Sequence, residues 1–160
     1  MDGMTWEQGL GEADRMWRTY IEMSKHLGSH LQQHLQREHA LSAADFEVLV
    51  RLAESADRRM PIADVAAATQ WEKSRLSHQL TRMAQRGLVE RVDSDDRRYP
   101  DVQLTDKGHE AIDKAVPEHT EMVHALVIDV LGPERLARFA EACADVLRAL
   151  DAHRERDCSL

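Results

Sequence analysis

Four local signals between Pro61 and Thr105 limit the fold more than any other feature of the chain. "PIADVAAAT" opens on a proline, which suits the first turn of a short helix. "TQWEKS" then forms a tight turn. A second helix is predicted from about Glu72 to Arg86, stopped by Gly87, which tolerates the left-handed conformation just past a helix end. "LVERV" alternates apolar and polar residues, "DSDDRRYP" is rich in turn formers, and "DVQLT" returns as a second strand. Short helix, turn, helix and hairpin, in that order, leave few architectures open.

The flanking segments are helical. From Trp6 to about Leu35 apolar residues recur every three or four positions: Trp6, Leu10, Ala13, Trp17, Tyr20, Leu27, Leu31, Leu35. A lone helix of that length cannot bury its own stripe, so it needs partner helices, from this chain or another subunit. In "LSAADFEVLVRLAES", Ser42 and Asp45 have the spacing of a capping box, and Phe46, Leu49, Val50 and Leu52 or Ala53 mark a buried face. "ADRRMP" reads as a polar break. Thr105 can cap a helix from Asp106 to roughly Leu131, in which Pro117 predicts a kink or a restart. Gly132 and Pro133 break the chain before a last helix, about Pro133 to His153. The expected class is mainly α with a small β-hairpin wing, the order of a winged helix-turn-helix.

Charge placement gives the central helix a role. The chain carries 29 acidic and 21 basic side chains, a formal net charge of -8. Yet between Lys73 and Arg91 there are five Lys or Arg and one acid, Glu90. On a helical wheel Leu76, Leu80 and Met83 form a narrow apolar stripe. Ser74, His78, Thr81 and Gln85 lie nearly opposite, and Arg75, Gln79, Arg82 and Arg86 form a third stripe to one side. Such a face suits a DNA major groove. Arginine can donate twice to a guanine edge, glutamine can pair with adenine, and hydroxyls near the helix start can reach phosphates. Lys73, Ser74, Arg75, Ser77, His78, Thr81 and Arg82 are the candidate DNA contacts on the helix. Arg97 and Arg98 at the hairpin tip are candidates for backbone or minor groove, with Asp96 orienting a wing arginine. The plainer alternative is a solvated charged face. The acidic remainder argues against indiscriminate polyanion binding.

Other classes fit less well. The chain has no Gly-rich phosphate loop, no nucleophile with a recognisable partner and no paired carboxylates in an apolar setting, so no enzyme is expected. No run of 18 apolar residues suggests a membrane span, and the first ten residues do not resemble a secretory signal. Cys143 falls in an apolar helical pattern and Cys158 in a polar tail, with no metal-type spacing. A reducing, cytoplasmic setting fits best.

The residues now assembled resemble the MarR family of transcriptional regulators. "RLSHQLTRMAQRGLVER" is similar to the family's recognition helix running into its first wing strand. "DSDDRRYPDVQLTDKG" resembles the wing signature, Asp-x-Arg then a strand then Leu-Thr-x-x-Gly, here Asp96, Arg98, Leu104, Thr105 and Gly108. The resemblance covers nearly the whole chain and implies one MarR-type domain over residues 1–160. Dimerisation helices would span about 6–37 and 106–153, and the winged lobe about 42–105. It further implies a homodimer on a palindromic operator in double-stranded DNA, most often a repressor of nearby genes. Family members are commonly released by a small, often anionic aromatic ligand in the cleft between dimerisation helices and the DNA-binding lobe. Trp17, Tyr20, His30 and Phe46 are the candidate wall residues there, although Trp17, Tyr20 and Phe46, each taken singly, also read simply as core.

Histidine supplies an alternative. His26, His30 and His34 are spaced i, i+4, i+8, with Glu22 one turn earlier. A pair of histidines four apart can hold a metal from one helix face. The line drifts about 40° per step at 3.6 residues per turn, so the four groups cannot meet at one ion. A metal-responsive regulator would need a pair plus Glu47, His109, His119 or His124. The simpler expectation is polar surface histidines and no cofactor.

Overall fold

The computed structural model describes residues 11–93 and 100–157. The chain divides into two compact units after Pro117. In the first, helix α1 spans Glu12–His39. It ends where Ala40 takes a left-handed φ of 52° and the Leu41 N–H reaches back to the Leu35 carbonyl at 3.2 Å, a Schellman-type closure. Helix α2, Ala43–Glu54, starts with the capping box in place. The Ser42 hydroxyl accepts from the Asp45 N–H at 3.0 Å, and the Asp45 carboxylate accepts from the Ser42 N–H at 2.8 Å. Val48, Leu49 and Leu52 are buried, Phe46 and Val50 pack partly against them, and Ala53 stays exposed.

Strand β1, Arg59–Pro61, lies where a polar break was expected. It is only three residues long and ends in proline, so it shows no alternation to read. Helix α3, Ile62–Thr69, and helix α4, Lys73–Gln85, follow. Strands β2, Val89–Val92, and β3, Asp101–Leu104, complete an antiparallel sheet of order β1-β3-β2. The wing therefore grows from a three-stranded sheet rather than a bare hairpin. Glu90 pairs with Gln103 on one side of β3, and Met60 with Val102 on the other.

Helix α5, Asp106–Val123, follows the Thr105 cap and runs through Pro117, so of the kink or restart expected at that proline the restart does not occur. The Thr105 hydroxyl donates to the Gly87 carbonyl at 2.7 Å and accepts from the Gly108 N–H at 3.0 Å. One apolar core joins α2, α3, α4 and the sheet, with Val48, Leu49, Val65, Leu76, Leu80, Met83, Val102 and Ile112 all within a few per cent of complete burial. Gly108 is dictated by packing: a Cβ there would lie 2.0 Å from the Leu88 carbonyl oxygen.

The second unit holds a π-helical turn, His124–Ile128, and helix α6, Asp129–Asp157. Gly132 breaks α6 near its start with φ 68° and ψ 169°, ahead of Pro133. Phe139, Val146, Leu147 and Leu150 are exposed along it. Among the described residues no helix is long and apolar enough to cross a membrane.

Candidate nucleic-acid interface

Helix α4 presents its faces as its sequence dictates, with one exception. Leu76, Leu80 and Met83 are buried. Lys73, Ser74, Arg75, Ser77, His78, Thr81 and Arg82 are all exposed, so the seven helix candidates share one solvent-facing side. The exception is Gln79, expected among the outward donors but only 4% exposed. The wheel explains the correction. Gln79 lies about 60° from Leu76 at 100° per residue, nearer the apolar stripe than any arginine of its group. Its side-chain amide donates to Asp45 of α2 at 2.7 Å and its carbonyl accepts from Arg82. It is a partner inside the fold, not a free donor.

The α4 arginines differ in their surroundings. Arg75 lies over the Trp71 ring, 4.4 Å from its centroid, a cation–π contact that directs the guanidinium without neutralising it. Arg86 turns away from the others. It pairs with the Asp45 carboxylate at 2.7 Å and donates to the Ala40 carbonyl, tying α4 to the junction of α1 and α2. At the helix end Gly87 adopts φ 72°, and the Leu88 N–H closes onto the Met83 carbonyl at 3.0 Å. That reversal sends β2 back alongside α4.

The reversal places a residue that sequence reasoning missed. Arg91 on β2 faces the middle of α4, where its guanidinium lies 3.5 Å from the Ser77 hydroxyl and 3.4 Å from that of Thr81. Period-two alternation could have found it, since Arg91 shares a strand face with the buried Val89. Arg59 was missed too. It donates to Asp101 at 2.6 Å and to the Asp93 carbonyl at 2.6 Å. Asp93 and Asp101 flank the wing tip, so Arg59 clamps the base of the wing from β1. Asp96, Arg97 and Arg98 lie outside the described residues.

The aromatic candidates do not converge. Trp17 and Tyr20 stack on each other at 5.3 Å between centroids, and both are exposed on α1. His30 is exposed further along α1, and Phe46 packs against the core. The histidine row is no tighter. His26 and His30 are exposed, and neither joins a group of three metal-capable side chains among the described residues. His34 is half-buried and meets His39 edge-on at 5.8 Å.

Residues 41–108 match a family described as a winged helix DNA-binding domain. The fold is similar to that of AbsC, a MarR family transcriptional regulator from Streptomyces coelicolor. That likeness has a TM-score of 0.85 and 38% identity, over 89% of this chain and 97% of AbsC. A second MarR family regulator from the same organism, solved in complex with DNA, is 34% identical with a TM-score of 0.83, over 88% and 89% of the two chains. The transcriptional regulator PecS of Dickeya dadantii is 32% identical over 71% of this chain, which spans 64% of the length of PecS.

Proposed function

Since the chain belongs to the MarR family of winged helix-turn-helix transcriptional regulators, we propose that α4 enters the major groove of an operator and that the chain acts as a homodimeric repressor of nearby genes. The observation that carries this is the division of α4. One side is sealed into the core, and the other offers Lys73, Ser74, Arg75, Ser77, His78, Thr81 and Arg82 to solvent. Arg75 and Arg82 suit base edges, and the hydroxyls with Lys73 suit phosphates. Arg97 and Arg98, with Asp96 orienting the wing, would follow the backbone into the minor groove.

Exposed apolar stripes support a dimer. On α1, Met16, Trp17, Tyr20, Ile21 and Met23 are each more than 40% exposed, and on α6 Val146 and Leu147 are about 60% exposed. Such stripes at helical spacing are ordinarily covered by a partner helix. A two-fold dimer would place two α4 helices on half-sites about one DNA turn apart, hence on a palindrome. Bound across a promoter in the cytoplasm, it would exclude polymerase. Release would come from a small aromatic effector.

Fluorescence anisotropy with DNA flanking the protein's own gene tests this. The expected result is tight, palindrome-dependent binding, reduced on the order of tenfold by Arg75→Ala. Pure dimer that ignores this DNA even at low salt would sink the proposal.

A further inference from the structure

Four polar or charged side chains are buried among the described residues: Asp45, Thr69, Gln79 and Asp101. Thr69 bonds its own helix and Asp101 takes the Arg59 guanidinium. Asp45 and Gln79 face each other across α2 and α4, and their hydrogen bonds form a chain with a direction. The two Asp45 carboxylate oxygens accept from the Ser42 N–H at 2.8 Å, Arg86 at 2.7 Å and the Gln79 amide at 2.7 Å.

A carboxylate accepts only, so it sets the orientation of the Gln79 amide. The NH2 group must face Asp45, and the amide oxygen is therefore presented to the other side. There it accepts from Arg82, a residue of the exposed α4 face. A free arginine loses much rotamer freedom when it docks on a base. An arginine already held by one nitrogen loses less, and its remaining donors point one way.

We propose that Asp45, on a helix outside the DNA-contacting face, is a positioning residue for operator specificity, acting through Gln79 to fix the guanidinium of Arg82. This rests on α4 being the recognition helix. The chemistry makes one reversal possible. In Asp45→Asn the new amide brings donors of its own. Gln79 can then turn over to offer its oxygen inward, which faces its NH2 against Arg82 and releases that arginine.

The test is a double-mutant cycle on the intact protein, read as the ratio of operator to non-specific DNA affinity at one salt concentration. Gln79→Met keeps the side-chain length and the Asp45–Arg86 pair, so it guards against a variant that misfolds. Gln79→Met, Asp45→Asn and Arg82→Ala should each lower the ratio on the order of tenfold. Combined with Arg82→Ala, the other two should add nothing further. The loss should map to the same base pairs in a scan of operator substitutions. If Gln79→Met costs as much without Arg82 as with it, its role is structural and the relay is wrong. Arg82→Ala that matches wild type overturns it equally. Wild-type protein that binds no operator would instead remove the recognition-helix premise and the relay together.

Discussion

The winged lobe and the terminal helices are built on opposite terms. In the lobe, Leu76, Leu80 and Met83 are sealed by their own chain, and its buried polar side chains have partners. Along α1 and α6, residues of the same type are left in solvent: Met16 at 63%, Trp17 at 61%, Leu147 at 61%. Apolar periodicity looks alike in both regions. The difference is that α4 turns back at Gly87 into a sheet that covers it, whereas the stripes of α1 and α6 outrun what their own units cover. Lobe substitutions should therefore act on folding, and stripe substitutions on association.

Two glycines give the widest separation. Gly108→Ala would drive a Cβ to 2.0 Å from the Leu88 carbonyl oxygen and 2.8 Å from a Leu104 methyl. That carbonyl also accepts from the Thr105 N–H at 3.2 Å, so it is not free to retreat. The expected cost is about 3 kcal/mol or more, measured by urea denaturation at fixed protein concentration. Gly28, in the middle of α1, has open space where a Cβ would stand, with no neighbouring atom within 4 Å. There the same change should add up to about 1 kcal/mol through helix propensity. A loss at Gly28 would mean that a partner helix lies against it, and would erase the contrast.

Two leucines come next. Leu80 is 1% exposed and Leu147 61% exposed. Leu80→Ala should cost about 2–5 kcal/mol at every protein concentration. Leu147→Ala should leave the unfolding of an isolated chain within about 0.5 kcal/mol of wild type. Its effect should appear instead as a dimer dissociation constant raised on the order of tenfold, seen by sedimentation. A Leu147→Ala dissociation constant equal to that of wild type would place the dimer contact elsewhere.

The same contrast explains what could be read in the sequence. The order of elements, the Gly87 stop, the Ser42–Asp45 box and the Thr105 cap were legible because each is a local signal: a spacing or a residue type with one dominant conformation. Strand β1 was not, because three residues ending in Pro61 become a strand only when β3 arrives beside them. Gln79 was misassigned for a related reason. Its polarity pointed outward, but the side chain that satisfies it, Asp45, lies 34 residues away on another helix. Arg91 and Arg59 likewise find their partners only in the folded chain. Local chemistry marked the exposed candidates of α4, while the buried partners behind them needed the tertiary structure.

Ser42 provides the smallest effect and the finest division within the lobe. Its hydroxyl accepts from the Asp45 N–H, while its own N–H donates to the Asp45 carboxylate. Ser42→Ala removes the first bond and keeps the second. An N-cap lost in this way costs about 1 kcal/mol, so the denaturation midpoint should fall slightly. The Asp45 carboxylate would still hold Gln79 and Arg86, so operator discrimination should not change. Stability and specificity would then separate at adjacent ends of one capping box. If specificity fell along with stability, Asp45 would depend on its helix start, and a relay acting through its carboxylate alone would be too simple.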